Sequence, residues 1–148
     1  MKNLFLIVLL LCNFFAKAQT PNDDIKKVIQ TLFIAMQQGD SSLAKSCFDG
    51  SAHLQTALLD HKTNKTKLIN EPLDSFLIQV NSIKKLTVKI EERITNYDIK
   101  IDNPLASVWA DYEFYIDGKL SHKGVDAFQL FKSNAGWKII QICDTRRK

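Results

Sequence analysis

The stretch Ala106-Ser107-Val108-Trp109-Ala110-Asp111-Tyr112-Glu113-Phe114-Tyr115-Ile116, followed by Asp117-Gly118 and by Lys119 to Lys132, decides the architecture of this chain. Apolar and polar residues alternate along 106–116 with the period of two that a half-covered strand requires. Val108, Ala110, Tyr112, Phe114 and Ile116 therefore share one face, and Ser107, Trp109, Asp111, Glu113 and Tyr115 the other. Asp117-Gly118 reads as a two-residue hairpin turn, since such turns need positive φ and Asp-Gly accepts it. The chain should then return along Lys119–Lys132, turn at Ser133-Asn134-Ala135-Gly136, and close with a strand over Trp137–Cys143. Upstream, Lys85–Ile94 alternates around Leu86, Val88 and Ile90. Tyr97, Ile99 and Ile101 carry the same period to a turn at Asp102-Asn103-Pro104. The second half of the chain thus reads as a four-strand antiparallel meander.

Working outward, the first half switches to helical periodicity. Ile25, Val28, Ile29, Leu32 and Met36 form one apolar stripe, with Lys26, Lys27, Gln30 and Gln37 off it. Asp23 and Asp24 suit the positive end of that helix, and Gly39 ends it. Asp40 or Ser41 caps a short second helix bearing Leu43, Ala44, Cys47 and Phe48. Two short strands, Ala52–Leu59 and Thr66–Ile69, flank a polar tip, and Pro72 opens a third helix with Leu73, Phe76, Leu77 and Val80. Helices gathered on one sheet define an α+β domain.

The chain has 148 residues, enough for one domain, and its leading segment stands apart from the rest. Lys2, the apolar run Leu4–Leu11 and Ala16-Lys17-Ala18 make residues 1–18 a signal peptide cleaved before Gln19, leaving residues 19–148 as a single exported domain, periplasmic or secreted. Leu11 is too large for the position before a lipidated cysteine, which argues against an anchor at Cys12. The run is also too short to span a bilayer, and no later segment is long and apolar enough to do so. Removing Lys2 and Lys17 lowers the formal charge from +4 to +2, which offers no electrostatic footprint for nucleic acid. Cys47 and Cys143 remain, either as a pair or as separate core thiols. His53, His61 and His122 lack metal-ligand spacing, so no metal and no cofactor is expected. Phosphate loops, nucleophile elbows and HExxH are absent from the sequence, and enzymes that depend on them are excluded.

The element order, with Gly39-Asp40, Trp109-x-x-Tyr112-x-Phe114, Asp117-Gly118, His122-x-Gly124-x-x-x-Phe128 and Gly136-Trp137-Lys138-Ile139-Ile140, resembles the nuclear transport factor 2-like (NTF2-like) superfamily, and within it the small SnoaL-like and lumazine-binding-like bacterial proteins. The resemblance spans Asp23 to Arg146. It implies a cone-shaped fold in which three helices pack on a strongly bent antiparallel sheet and an apolar pocket opens at one end. On that implication Phe33, Phe76, Trp109, Tyr112, Phe114, Phe128 and Trp137 supply the pocket wall. Arg146 lies near the sheet end, where it either clamps a ligand or belongs to a basic frayed tail.

Acid–base chemistry has a candidate in the hairpin. With a regular two-residue turn, Glu113 falls opposite His122, Trp109 opposite Asp126 and Asp111 opposite Gly124, all on one face. A histidine beside carboxylates is the material of proton transfer, and enzymes of the resembled superfamily that isomerise or cyclise use Asp and His groups in the cone. The same pairing also suits an ordinary solvated sheet face, and a β-bulge would exchange the faces partway along the strand. Three functions follow from these readings. The foremost is binding of a small apolar or aromatic ligand without catalysis. The second is an isomerase or dehydratase using His122 with Asp126 or Glu113. The third is a homodimer formed through the outer sheet face.

Overall fold

The computed structural model describes residues 20–147, so the signal peptide expected at 1–18 lies outside the described residues. Helix α1 (Pro21–Gln38) starts where Thr20 and Asp23 form a reciprocal capping box, and it stops at Gly39, whose φ of 68° lets its N–H reach back to the last turn. Ile25, Ile29, Leu32 and Ala35 of its apolar stripe are buried. Asp40 caps α2 (Ser41–Cys47) by accepting from the backbone N–H groups of Ser42 and Leu43. Strands β1 (Phe48–Asp60) and β2 (Lys65–Glu71) form an antiparallel hairpin, and α3 (Leu73–Ser82) follows. Then come β3 (Ile90–Asp102), β4 (Leu105–Ile116), β5 (Lys119–Ser133) and β6 (Gly136–Arg147).

The six strands form one sheet in the order β2-β1-β6-β5-β4-β3. The expected meander from β3 to β6 is present. Its last strand pairs in parallel with β1, which brings the N-terminal hairpin alongside the chain terminus. Helices α1 and α3 cover the concave face through Ile25, Ile29, Leu32, Leu77 and Val80, packed on Val108, Ala110, Phe128, Leu130 and Ile139. No helix among the described residues is long and apolar enough to cross a membrane.

Several boundaries differ from the sequence reading: β1 opens at Phe48, expected on α2, and not at Ala52, because the chain leaves the helix there and pairs with β6. Leu86 and Val88 precede β3 rather than opening it, and both are exposed. The loop is instead tied to the β4–β5 turn, where the N–H of Lys89 donates to the Asp117 carboxylate and the N–H of Asp117 donates to the Lys89 carbonyl. At the other end β6 continues through Asp144, Thr145 and Arg146, so Arg146 belongs to a paired strand and not to a frayed tail. Cys47 is buried, Cys143 half-buried, and both are free thiols.

Register decides the rest. Ile116 pairs with Lys119 and Tyr115 with Leu120, as a two-residue turn dictates, but Ser121 is then an extra residue and Phe114 pairs with His122. Similar irregularities leave Thr95 unpaired in β3 and Ile140 unpaired in β6. Such bulges let a strand keep its buried phase while it bends. Beyond Ser121, Glu113 pairs with Lys123, Ala110 with Asp126 and Trp109 with Ala127, which overturns the expected pairs of Glu113 with His122, Trp109 with Asp126 and Asp111 with Gly124. His122 and Asp126 therefore share the concave face with Tyr112 and Phe128, and Glu113 and Trp109 lie on the convex face.

Candidate functional site

Three pair-rows cross the concave face at one end of the sheet. Glu92, Phe114 and His122 form the outermost, Tyr112, Gly124 and Arg146 the next, and Ala110, Asp126, Asp144 and Thr56 the innermost. Together with α1 and α3 they enclose a cavity of about 220 Å³, walled by Leu32, Phe33, Met36, Phe76, Phe114 and Phe128. The bulges are what bring its polar groups inside. Counting back from Tyr97, which pairs with Ala110, strict alternation would turn Glu92 outward, and the extra Thr95 restores it to the concave side. Ile140 does the same for Ile142, Asp144 and Arg146, which would otherwise oppose the face of Trp137 and Ile139.

The aromatic surface is ordered. The His122 ring stacks on Phe114 with centroids 4.9 Å apart and meets Tyr112 edge-on at 5.8 Å. Tyr112 lies across Gly124 and donates its hydroxyl to the Thr145 carbonyl at 2.9 Å. A Cβ at residue 124 would fall 1.9 Å from that carbonyl oxygen and 2.5 Å from the tyrosine ring, so only glycine admits this arrangement. On the opposite wall Phe33 meets Phe128 edge to face.

The electrostatics centre on carboxyl groups. Asp126 is 4% exposed, and its Oδ2 has no hydrogen-bond partner among the described residues. Burial, and then the nearby charges of Glu92 and Asp144, hold the Asp126 carboxyl well above the usual carboxylate range. Burial first and Asp144 second push Glu92 up to about 7. Asp144 accepts from Thr56 Oγ1 and pairs with Arg146 Nε at 3.1 Å. Burial and the Arg146 charge lower the pKa of His122, whose Nδ1 lies 3.2 Å from Ser121 Oγ. Burial, with Asp126 and Glu92 next, raises the Tyr112 phenol and keeps it protonated. An imidazole held below its ordinary pKa and two carboxyl groups held above theirs thus share one cavity.

Of the residues expected at the site, His122, Asp126, Phe33, Phe76, Tyr112, Phe114, Phe128 and Arg146 line this cavity. Three do not. Glu113 is on the convex face, in an ion pair with Lys123 at 2.6 Å and accepting from the Tyr115 hydroxyl at 2.6 Å. Trp109 is 55% exposed on that same face, beside Ala127. Trp137 is buried near the far end of β6, beneath Lys132 and against α1 and α2. His122 and Asp126 share the cavity without touching, because the Gly124 row lies between them. The carboxyl partner of Asp126 is Glu92, which alternation alone assigns to the wrong face.

This cone of helices on a bent sheet, with a polar-tipped aromatic cavity, is the NTF2-like fold. A structure from Cytophaga hutchinsonii described as an NTF2-like protein superimposes with a TM-score of 0.67 at 15% identity, covering 86% of this chain and 99% of that one. An NTF2-like protein of unknown function from Methylobacillus flagellatus gives 0.60 at 21% identity, covering 86% and 92%. A candidate dehydratase of the NTF2-like family from Streptomyces avermitilis gives 0.63 at 14% identity, covering 87% and 99%. No family model and no curated protein matches the sequence.

Proposed function

We propose that this chain is an exported enzyme of the isomerase or dehydratase type, which binds a small molecule with a flat apolar body and moves a proton on it. The observation that carries the proposal is Asp126, a buried carboxyl with a free oxygen that shares an aromatic cavity with a neutral histidine. Burying a carboxyl without full pairing is costly, and a site that holds one protonated can donate to an oxygen on which negative charge develops. His122 supplies the opposite capacity, since an uncharged imidazole accepts a proton. Groups whose surroundings drive their pKa values apart make an acid–base couple. The two residues stand four positions apart on β5, roughly 13 Å between Cα atoms at strand rise. Proton movement between them therefore passes through a bound molecule.

In this reading His122 removes a proton from a carbon next to a carbonyl, and the Asp126–Glu92 pair hydrogen-bonds the carbonyl oxygen as it gains charge. Return of the proton at another carbon gives isomerisation, and protonation of a departing hydroxyl by the carboxyl pair gives dehydration. The test is deuterium exchange at the α-carbon of a panel of small aryl ketones and β-hydroxy ketones, followed by proton NMR. The wild-type chain should exceed the rate in buffer containing an equal concentration of imidazole. His122→Asn and Asp126→Asn should lose most of the excess, with folded circular dichroism spectra. Binding of the ketones without any excess exchange would reduce the site to the ligand-binding role. Export is proposed from residues 1–18 and would be tested by the N-terminal sequence of the protein recovered outside the cytoplasm.

A further inference from the structure

A second concavity of about 450 Å³ lies beside the first, between the β1–β2 hairpin and the end of β6. Ala57, Leu58, Leu59 and Leu68 supply its apolar lining and His61, Lys67, Arg146 and Arg147 its polar lining, with no Asp or Glu among the lining residues. Arg146 borders both spaces. Its guanidinium is held by Asp144, which Thr56 in turn anchors, so the boundary between the two spaces is a fixed cation. Lys67 and Arg147 have no ion-pair partner among the described residues. The cavity behind Arg146 is different in kind, with three carboxyl groups and a wall of rings.

We infer that the ligand is an organic acid, whose apolar body fills the aromatic cavity while its carboxylate rests in the groove against Arg146, Lys67 and Arg147. The inference rests on the reading of the cavity as a ligand site and adds the chemical class. A molecule lying across Arg146 meets cations at one end only, which selects an anion for that end and orients the other end toward Asp126. An amine would place its charge beside Lys67 and Arg147 if it lay that way round. Held the other way, it would put an apolar tail among the same cations. The apolar lining residues Leu58 and Leu59 accommodate the chain that joins the carboxylate to the buried body.

The probes are 3-benzoylpropionate, its methyl ester and 4-phenylbutylamine, titrated into the wild-type chain by calorimetry. The acid should bind about tenfold tighter than its ester, which is what two partly exposed ion pairs can contribute together. That advantage should shrink as salt rises from 0.05 to 0.5 M. Lys67→Ala with Arg147→Ala, both on strands at the sheet margin, should remove most of the acid's advantage over its ester. Equal binding of acid and ester would overturn the carboxylate assignment and leave the cavity as a ligand site. Tighter binding of the amine would overturn it in favour of the carboxyl cluster as the charged recognition element. Failure of all three at millimolar concentration would overturn the cavity reading itself.

Discussion

At the scale of single residues, His122 and Glu92 carry the sharpest expectations. The imidazole of His122 should titrate below its ordinary 6.5, chiefly because it is desolvated and secondarily because Arg146 repels its charged form. Replacing Arg146 with leucine removes the second cause, and Asp144 then faces the ring without its partner. The titration of His122, followed through its ring proton by NMR, should move upward. No movement, or a fall, would mean that Arg146 does not act on the ring. Catalysis should follow the same groups. The rate of α-carbon exchange should rise as His122 loses its proton below 6.5 and fall as Glu92 ionises near 7, which confines activity to a narrow range near neutrality. Glu92→Gln should displace the upper limb and leave the lower one in place.

At the scale of elements, the sheet is the part that makes the site. Gly124 on β5 is the clearest case, because any side chain there collides with β6 backbone and with Tyr112. Gly124→Ala should cost about 1–3 kcal/mol in urea denaturation, the ordinary penalty of overpacking, and should release the Tyr112 hydroxyl from Thr145. Helix α1 contributes the other wall. Ile29 is fully buried against the sheet, and Ile29→Ala should cost about 2–5 kcal/mol. Thr20→Ala, which removes only the capping box of α1, should cost about 1 kcal/mol. A cost for Thr20→Ala as large as that for Ile29→Ala would show that end capping holds the helix as firmly as core packing. These elements are legible in the sequence: the α1 stripe, Gly39, the turn at Asp117-Gly118 and the meander all appear as expected. Local pattern specifies them, since each depends on residues within a turn or two of one another. The start of β3 is not legible, because Leu86-Thr87-Val88 alternates like a strand while pairing with β4 begins only at Ile90.

At the scale of the whole molecule, the buried carboxyls should leave a signature in the pH dependence of stability. Glu92 keeps its proton to about 7 in the fold and releases it near 4.5 when unfolded. Between those values the native state binds more protons than the unfolded state, so stability falls as pH rises through that window and the full cost is present above it. Glu92→Gln should match the wild type near pH 4 and exceed it at pH 8 by about 2–3 kcal/mol, measured as unfolding free energy in urea. His122 acts on the acid side, since its folded pKa is depressed and its contribution is lost as pH falls below 6.5. A wild-type curve that climbs steadily from pH 5 to 8 would contradict the burial of this cluster.

The same scale separates what the sequence determines by itself from what only the folded sheet decides. Alternation, turn chemistry and the helical stripe suffice for the element order and for the face that Val108, Ala110, Tyr112 and Phe114 present to the core, because those signals repeat along the chain. They also place His122 and Asp126 on one face of β5. They do not reveal that this face is the concave one, that Glu92 joins Asp126, or that Asp144 and Arg146 turn inward beside them. Each of those outcomes passes through one unpaired residue, Ser121, Thr95 or Ile140, and a single extra residue inverts every assignment beyond it. A bulge is selected by the curvature that lets six strands wrap α1 and α3. That curvature is a property of the assembled sheet, and it leaves no periodic mark in the sequence of any one strand.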